Sequence, residues 1–212
     1  MLLLPLALLF SLPDAAPEMP SVTVRLVNTS RASSATLTRA TREAAWVLRR
    51  AGIRLHWVHC PADVRGLPDR HLCLESPDTF LLGVLARPPE SLSPNGLGFA
   101  LVRAGFRNHA AVHFPRIESL ARSCPGSASL YQVLAFALTH ELGHLLLGTT
   151  SHSPTGIMRP ACDPALLHAF ARRQLTFSPE DAAALRLRLT SSPLTHRARV
   201  PHNALLLPGG SV

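Results

Sequence analysis

The chain has 212 residues, of which 47% are hydrophobic and 16% charged. That is enough apolar content for one packed domain and too little length for two full-sized ones, and it excludes wholesale disorder. All 21 basic residues are Arg, against 13 acids and a net charge of +8. They are scattered apart from the doublets Arg49-Arg50 and Arg172-Arg173, and no recognised motif or Arg-aromatic patch accompanies them, so no nucleic-acid partner is expected.

Leu2 to Leu12 is almost wholly apolar and is followed by Asp14, Ala15, Ala16 and Pro17. Such a run is too short to cross a bilayer and has the length of a signal-peptide core. The reading is a secretory signal over 1–16, a folded domain over 17–190 and a disordered tail over 191–212, in a protein that is secreted or periplasmic. The other reading of the run is an ordinary hydrophobic N-terminal segment. No later stretch is long enough to span a membrane. Four cysteines fit export; Cys60 and Cys73 flank a polar, Pro-containing loop and suggest a local disulfide, which leaves Cys124 and Cys162 as a second pair. None forms a CxxC pair, which speaks against a structural zinc knuckle.

Ser21 to Val27 alternates Val22, Val24 and Leu26 with Thr23 and Arg25 and reads as a strand. Ser33 or Ser34 offers an N-cap for a helix over 35–51, with apolar residues at helical spacing and Gly52 as its stop. Ile53 to Val58 alternates again. Strand, helix and strand in succession argue for a crossover between parallel strands. Further strands are expected at 79–85, 97–102 and 109–117, with loops at 59–78, 86–96 and 122–127. Leu130 to Leu147 is helical, opened by a Ser129/Gln132 capping box, and apolar nearly all round, hence central and buried. A last helix runs from Ser178 or Pro179 to about Leu189.

The central helix contains His140-Glu141-Leu142-Gly143-His144. Residues four apart on a helix share a face, so both imidazoles can hold one zinc ion. Glu141 lies round the helix from them, near such a metal but not bound to it. From there it can take a proton from zinc-bound water and pass it to a leaving amine. Ionisable side chains in an apolar helix carry a desolvation penalty that a metal would relieve. A zinc site needs a third protein ligand and an open position for water. Gly148 can reverse the chain and bring His152 back to the metal; Asp163 is the rival ligand. Met158 follows six residues after His152. His109 and His113 share a face of a strand and read as surface histidines rather than a second metal pair, while Tyr131, Trp46 and Trp57 read as packing.

The run from His140 to Pro160 resembles the metzincin clan of zinc endopeptidases, with matrixins the nearest, because Ser153 follows the third histidine. It is also similar to small uncharacterised secreted bacterial proteins carrying this motif. The resemblance implies an α/β fold: a twisted, mostly parallel sheet, a long active-site helix and a small C-terminal subdomain. It implies a Zn2+ cofactor on His140, His144 and His152, Glu141 as general base, Met158 beneath the ligands, and peptide or protein substrates. Leu97 to Leu101 resembles the clan's edge strand, which pairs antiparallel with an extended substrate; an interior strand is the other reading. The spacing departs from the clan's pattern H-E-x-x-H-x-x-G-x-x-H. Gly148 comes four residues after His144 rather than three, His152 eight after rather than six, and Thr150 stands where the clan has its third ligand. The functional expectation is a monomeric zinc metalloendopeptidase. A non-catalytic secreted zinc-binding module is the second reading, which the presence of Glu141 disfavours.

Overall fold

The computed structural model describes residues 19–63, 72–73, 79–89, 93, 96–102 and 109–191. The expected signal and the tail beyond residue 191 lie outside the described residues, as does most of the 64–78 loop. Strand β1 (Ser21–Asn28) leads through Ala32 into helix α1 (Ser34–Arg50), where the Ser33 side chain accepts a hydrogen bond from the Thr36 amide and caps the first turn. Gly52, at φ +82°, turns the chain into β2 (Arg54–Cys60), which runs parallel to β1 with Val24 opposite Trp57. Strand β3 (Phe80–Leu85) pairs parallel on the other side of β1. Strand β4 (Gly98–Leu101) and strand β5 (His109–His113) follow; β5 is parallel to β3, and β4 is antiparallel to β5. The sheet order is β2-β1-β3-β5-β4, so β4 is an edge strand and the interior reading of 97–101 is excluded.

Helix α3 (Leu130–Leu147) carries the expected Ser129/Gln132 capping box. Val22, Val24 and Leu26 of β1 and Phe80, Leu82 and Val84 of β3 form one core with Leu37, Ala40 and Leu48 of α1 and with α3. Leu134, Leu138, Leu142 and Leu146 of α3 are fully buried. Each is worth about 1.5–3 kcal/mol by apolar burial, which offsets the cost of bringing polar side chains in on the same helix. On the opposite face of β1, Arg25 is buried, and its Nη1 donates to the carbonyl of Cys73 at 3.1 Å. Cys73 is disulfide-bonded to Cys60 as expected.

The structure corrects several expectations. Strand β5 stops at His113, and the chain continues at once as helix α2 (Phe114–Ser123), with Pro115 in its first turn and Phe114 and Ile117 buried. Proline suits an early helical position, so the residues that extended the strand to 117 belong to the helix. Helix α4 (Pro164–Ala171) was not expected; Asp163 caps it, and Leu166, Leu167 and Phe170 are its buried face. Helix α5 (Pro179–Ser191) is the expected last helix. His113 is buried rather than on the surface, with its amide donating to Leu97 O at 2.7 Å. Cys124 and Cys162 are free thiols rather than a second disulfide. Burial, then the charge of Asp163 and the neighbouring Cys124, pushes the Cys162 thiol up to about 12. Among the described residues no helix is long and apolar enough to cross a membrane.

Candidate functional site

Helical periodicity places His140 and His144 on one face of α3, with their rings 4.8 Å apart between centroids. Each ring is oriented through Nδ1. His140 Nδ1 lies 2.8 Å from the carbonyl oxygen of Ile157, and His144 Nδ1 lies 2.9 Å from that of Thr149. A carbonyl oxygen only accepts, so each Nδ1 carries the hydrogen and each Nε2 is left with a lone pair. The two Nε2 atoms face one another at 3.1 Å. Two facing lone pairs repel unless a proton or a cation lies between them. A shared proton is disfavoured, because burial lowers the pKa of both rings, that of His140 to about 4. Two nitrogens on a tetrahedral zinc ion stand about 3.3 Å apart, given Zn–N bonds of about 2.0–2.1 Å.

Gly148 ends α3 in the left-handed conformation at φ +65°, and the amides of Gly148 and Thr149 bond back to the last turn. The chain then folds back, so that His152 stands over the helix pair. Its ring centroid lies 5.2 Å from that of His140 and 4.8 Å from that of His144. One nitrogen from each of the three rings fits within a 4.8 Å span. His140 is partly buried, His144 buried and His152 exposed, so the trio closes on one side with protein and opens on the other to the cleft. Three imidazoles at this spacing could together hold one metal ion. Asp163 is engaged elsewhere: its Oδ1 accepts from the Leu166 amide at 2.7 Å, and its Oδ2 lies 3.6 Å from Arg159.

Glu141 is only 7% exposed. Burial alone raises its carboxyl to about 8, so the metal-free site holds it protonated at neutral pH. A cation on the imidazoles would favour the ionised form. Gly98 of the edge strand lies against this carboxyl. A Cβ at position 98 would stand 2.8 Å from Glu141 Oε1 and 2.5 Å from the carbonyl of Ala111, so only glycine lets the strand come so close. Met158 is fully buried, with its sulfur against Gly143 between the two helix histidines in sequence. Any side chain at 143 would displace it.

A cleft of about 390 Å³ runs past these groups. One wall is the edge strand from Leu97 to Ala100; the other is Arg159, Pro160 and Cys162, with Phe136 and Ala137 on the floor. Arg116 Nη1 donates to the carbonyls of Ser93 and Gly96 at 2.6 and 2.7 Å and pins the loop that leads into the edge strand. Arg116 and the two carbonyls that orient the histidines belong to no motif in the sequence, and Gly98 was legible only as part of the 97–101 edge strand, not as a neighbour of Glu141. Tyr131 is remote from the cleft, under the guanidinium of Arg39.

No protein-family model matches the chain. No curated protein matches it. Among solved structures it is similar to archaemetzincin from Methanopyrus kandleri, at 17% identity and a TM-score of 0.52, over 82% of this chain and 98% of that one. It is also similar to metalloproteinase-II from Bacteroides fragilis, at 12% identity and a TM-score of 0.51, over 83% of this chain and 55% of that one. The mixed α/β architecture, with its mostly parallel sheet of five strands, is thus the archaemetzincin-like zincin fold.

Proposed function

We propose that the protein is a secreted, zinc-dependent metallopeptidase, with His140, His144 and His152 holding the metal and Glu141 as general base. The observation that carries this reading is the pair of Nε2 atoms facing each other at 3.1 Å, with a third imidazole beside them and a buried carboxyl lining the same cleft. Zinc, when bound, polarises a carbonyl and acidifies water. The chain supplies the rest. Ile157 O and Thr149 O fix the two helix imidazoles with Nε2 inward. Glu141 accepts a proton from the attacking water at its carboxylate and returns it to the amine that leaves. The outer edge of β4, unpaired among the described residues, offers N–H and C=O groups to an extended peptide running antiparallel to it. Met158 forms the apolar floor under the ligands. Export agrees with the Cys60–Cys73 disulfide, which persists in oxidising compartments. The expected state is a monomer.

The test is metal content and peptide hydrolysis in purified wild type, His144→Ala and Glu141→Gln. Wild type binds one zinc and cleaves an unfolded protein substrate. His144→Ala loses the metal, and Glu141→Gln keeps it while losing about 10²–10⁴-fold in rate. Zinc binding without cleavage in wild type would leave a zinc-binding module; no zinc at all would overturn the metal assignment.

A further inference from the structure

We infer that Asp181, in the first turn of α5, is a positioning residue for His152, acting through Ser153; the inference rests on the zinc reading above. The three proposed ligands are not held alike. His140 and His144 sit on a buried helix, and a backbone carbonyl fixes each ring. His152 sits in an exposed stretch without regular structure, and among the described residues no hydrogen bond holds its ring. Its place depends on the chain beside it.

Ser153 anchors that chain at two points. Its amide donates to Met158 O at 3.0 Å, which closes the loop on itself. Its Oγ donates to Asp181 Oδ1 at 2.8 Å, which ties the loop to an element 28 residues further on. Asp181 is itself fixed, because its amide donates to the Ser178 side chain at 3.0 Å where α5 begins. The same segment supports the loop's far end: the Ile157 amide donates to Thr176 O at 2.9 Å, and Gly156 packs against the backbone of Thr176 and Ser178. The 176–181 segment is therefore a platform for the whole return loop, and Asp181 supplies its side-chain hydrogen bond to the residue next to His152.

A second observation concerns the other carboxylate oxygen. Asp181 Oδ2 is buried with no hydrogen-bond partner among the described residues. A buried acceptor left unsatisfied costs stability. The first turn of α5 favours an acid at 181, and the bond from Ser153 to its Oδ1 puts that acid to a second use, the restraint of the loop next to His152. The stretch from His144 to His152 is two residues longer than the pattern it resembles, and a longer loop has more freedom to lose when its imidazole is fixed. The Ser153–Asp181 bond removes part of that freedom before a metal arrives.

The experiment uses the full mature chain, stripped of metal. Zinc affinity is read by competition with a chromophoric chelator, and coordination by the visible absorption of the Co2+-loaded protein. Ser153→Ala and Asp181→Ala are each expected to weaken zinc by about 10-fold, the lower end of what outer-shell partners contribute. Because both remove the same bond, the double variant should lose no more than either single one. Ser153→Thr keeps the hydroxyl and should recover the affinity. The Co2+ bands should shift in both alanine variants and return in Ser153→Thr, which general destabilisation would not produce. If Asp181→Ala does not fold, Ser153→Ala and its threonine rescue decide alone. Unchanged affinity and spectra, or additive losses, would overturn the positioning role. A wild type that takes up no zinc would overturn the metal reading itself, a distinguishable failure.

Discussion

Helix α3 and the loop that returns over it contribute to one site by opposite means. The helix holds its two histidines by periodicity, with His144 buried and His140 partly buried. The loop holds its histidine by isolated hydrogen bonds to distant parts of the chain, Asp181 and Thr176 among them. Position along a helix is a property of local sequence, whereas position in a loop is a property of the finished fold. The site thus joins a half whose backbone is set by the helix, with only its ring orientations taken from the loop carbonyls of Ile157 and Thr149, to a half whose backbone depends on distant contacts.

The sharpest way to break this contrast is to weaken each half in turn and compare. Leu142→Ala, at a fully buried position within the motif, should cost about 2–5 kcal/mol in urea unfolding. Ser151→Ala, on the exposed loop, should stay within about 0.5 kcal/mol. A loop substitution as costly as the core one would mean that the loop belongs to the cooperative core.

Next in size is an effect of pH on the metal-free protein. Glu141 has a folded-state pKa near 8 against an ordinary 4.5. Between those values the folded form holds a proton that the unfolded chain has released, so its contribution is full below pH 4.5 and lost as pH rises through 8. His140 runs the other way. With a folded pKa of about 4 against 6.5, it weakens the fold as pH falls from 6.5 towards 4. Glu141→Gln should therefore stabilise the chelator-treated protein at pH 8 and leave it nearly unchanged at pH 4. Equal melting temperatures for the two proteins at pH 8 would show that burial of Glu141 carries no such penalty.

The smallest expected effect lies at the junction of the two halves. Gly148→Ala forces an L residue into a left-handed turn, at about 1–2 kcal/mol, and its methyl group meets the Arg188 guanidinium. Thermal unfolding of the zinc-loaded and metal-free variant should show whether the loop moves with the turn. A drop in zinc affinity alongside the stability loss would place the hinge at Gly148; stability loss alone would place it further along.

The same division governs what could be read from residues alone. The strand–helix–strand opening was legible because alternation and 3.6-residue spacing are local signals, and Ser33, Gly52 and Ser129 marked ends by their own chemistry. Helix α2 was missed because it follows β5 without a connecting loop, so apolar residues of one element look like a continuation of the other. Pro115 was the available signal, as Asp163-Pro164 was for α4. Cys124 and Cys162 were paired by elimination, a rule that ignores where thiols sit. At the site, the helix motif announced itself. The edge position of β4, the carbonyls that set the histidine tautomers and the Ser153–Asp181 bond all join residues far apart in sequence, and no spacing encodes them.

Strand β4 closes the sheet with four residues, fewer than any other strand among the described residues. An open strand edge is a template for any extended chain, including another copy of the same protein. Four residues present only about two outward-facing backbone pairs, because bonding groups alternate sides along a strand. The shortness of β4 therefore sets how sticky this side of the molecule is: enough backbone to catch one segment drawn through the cleft, too little to propagate sheet from molecule to molecule. Lengthening that strand would here trade solubility for hold.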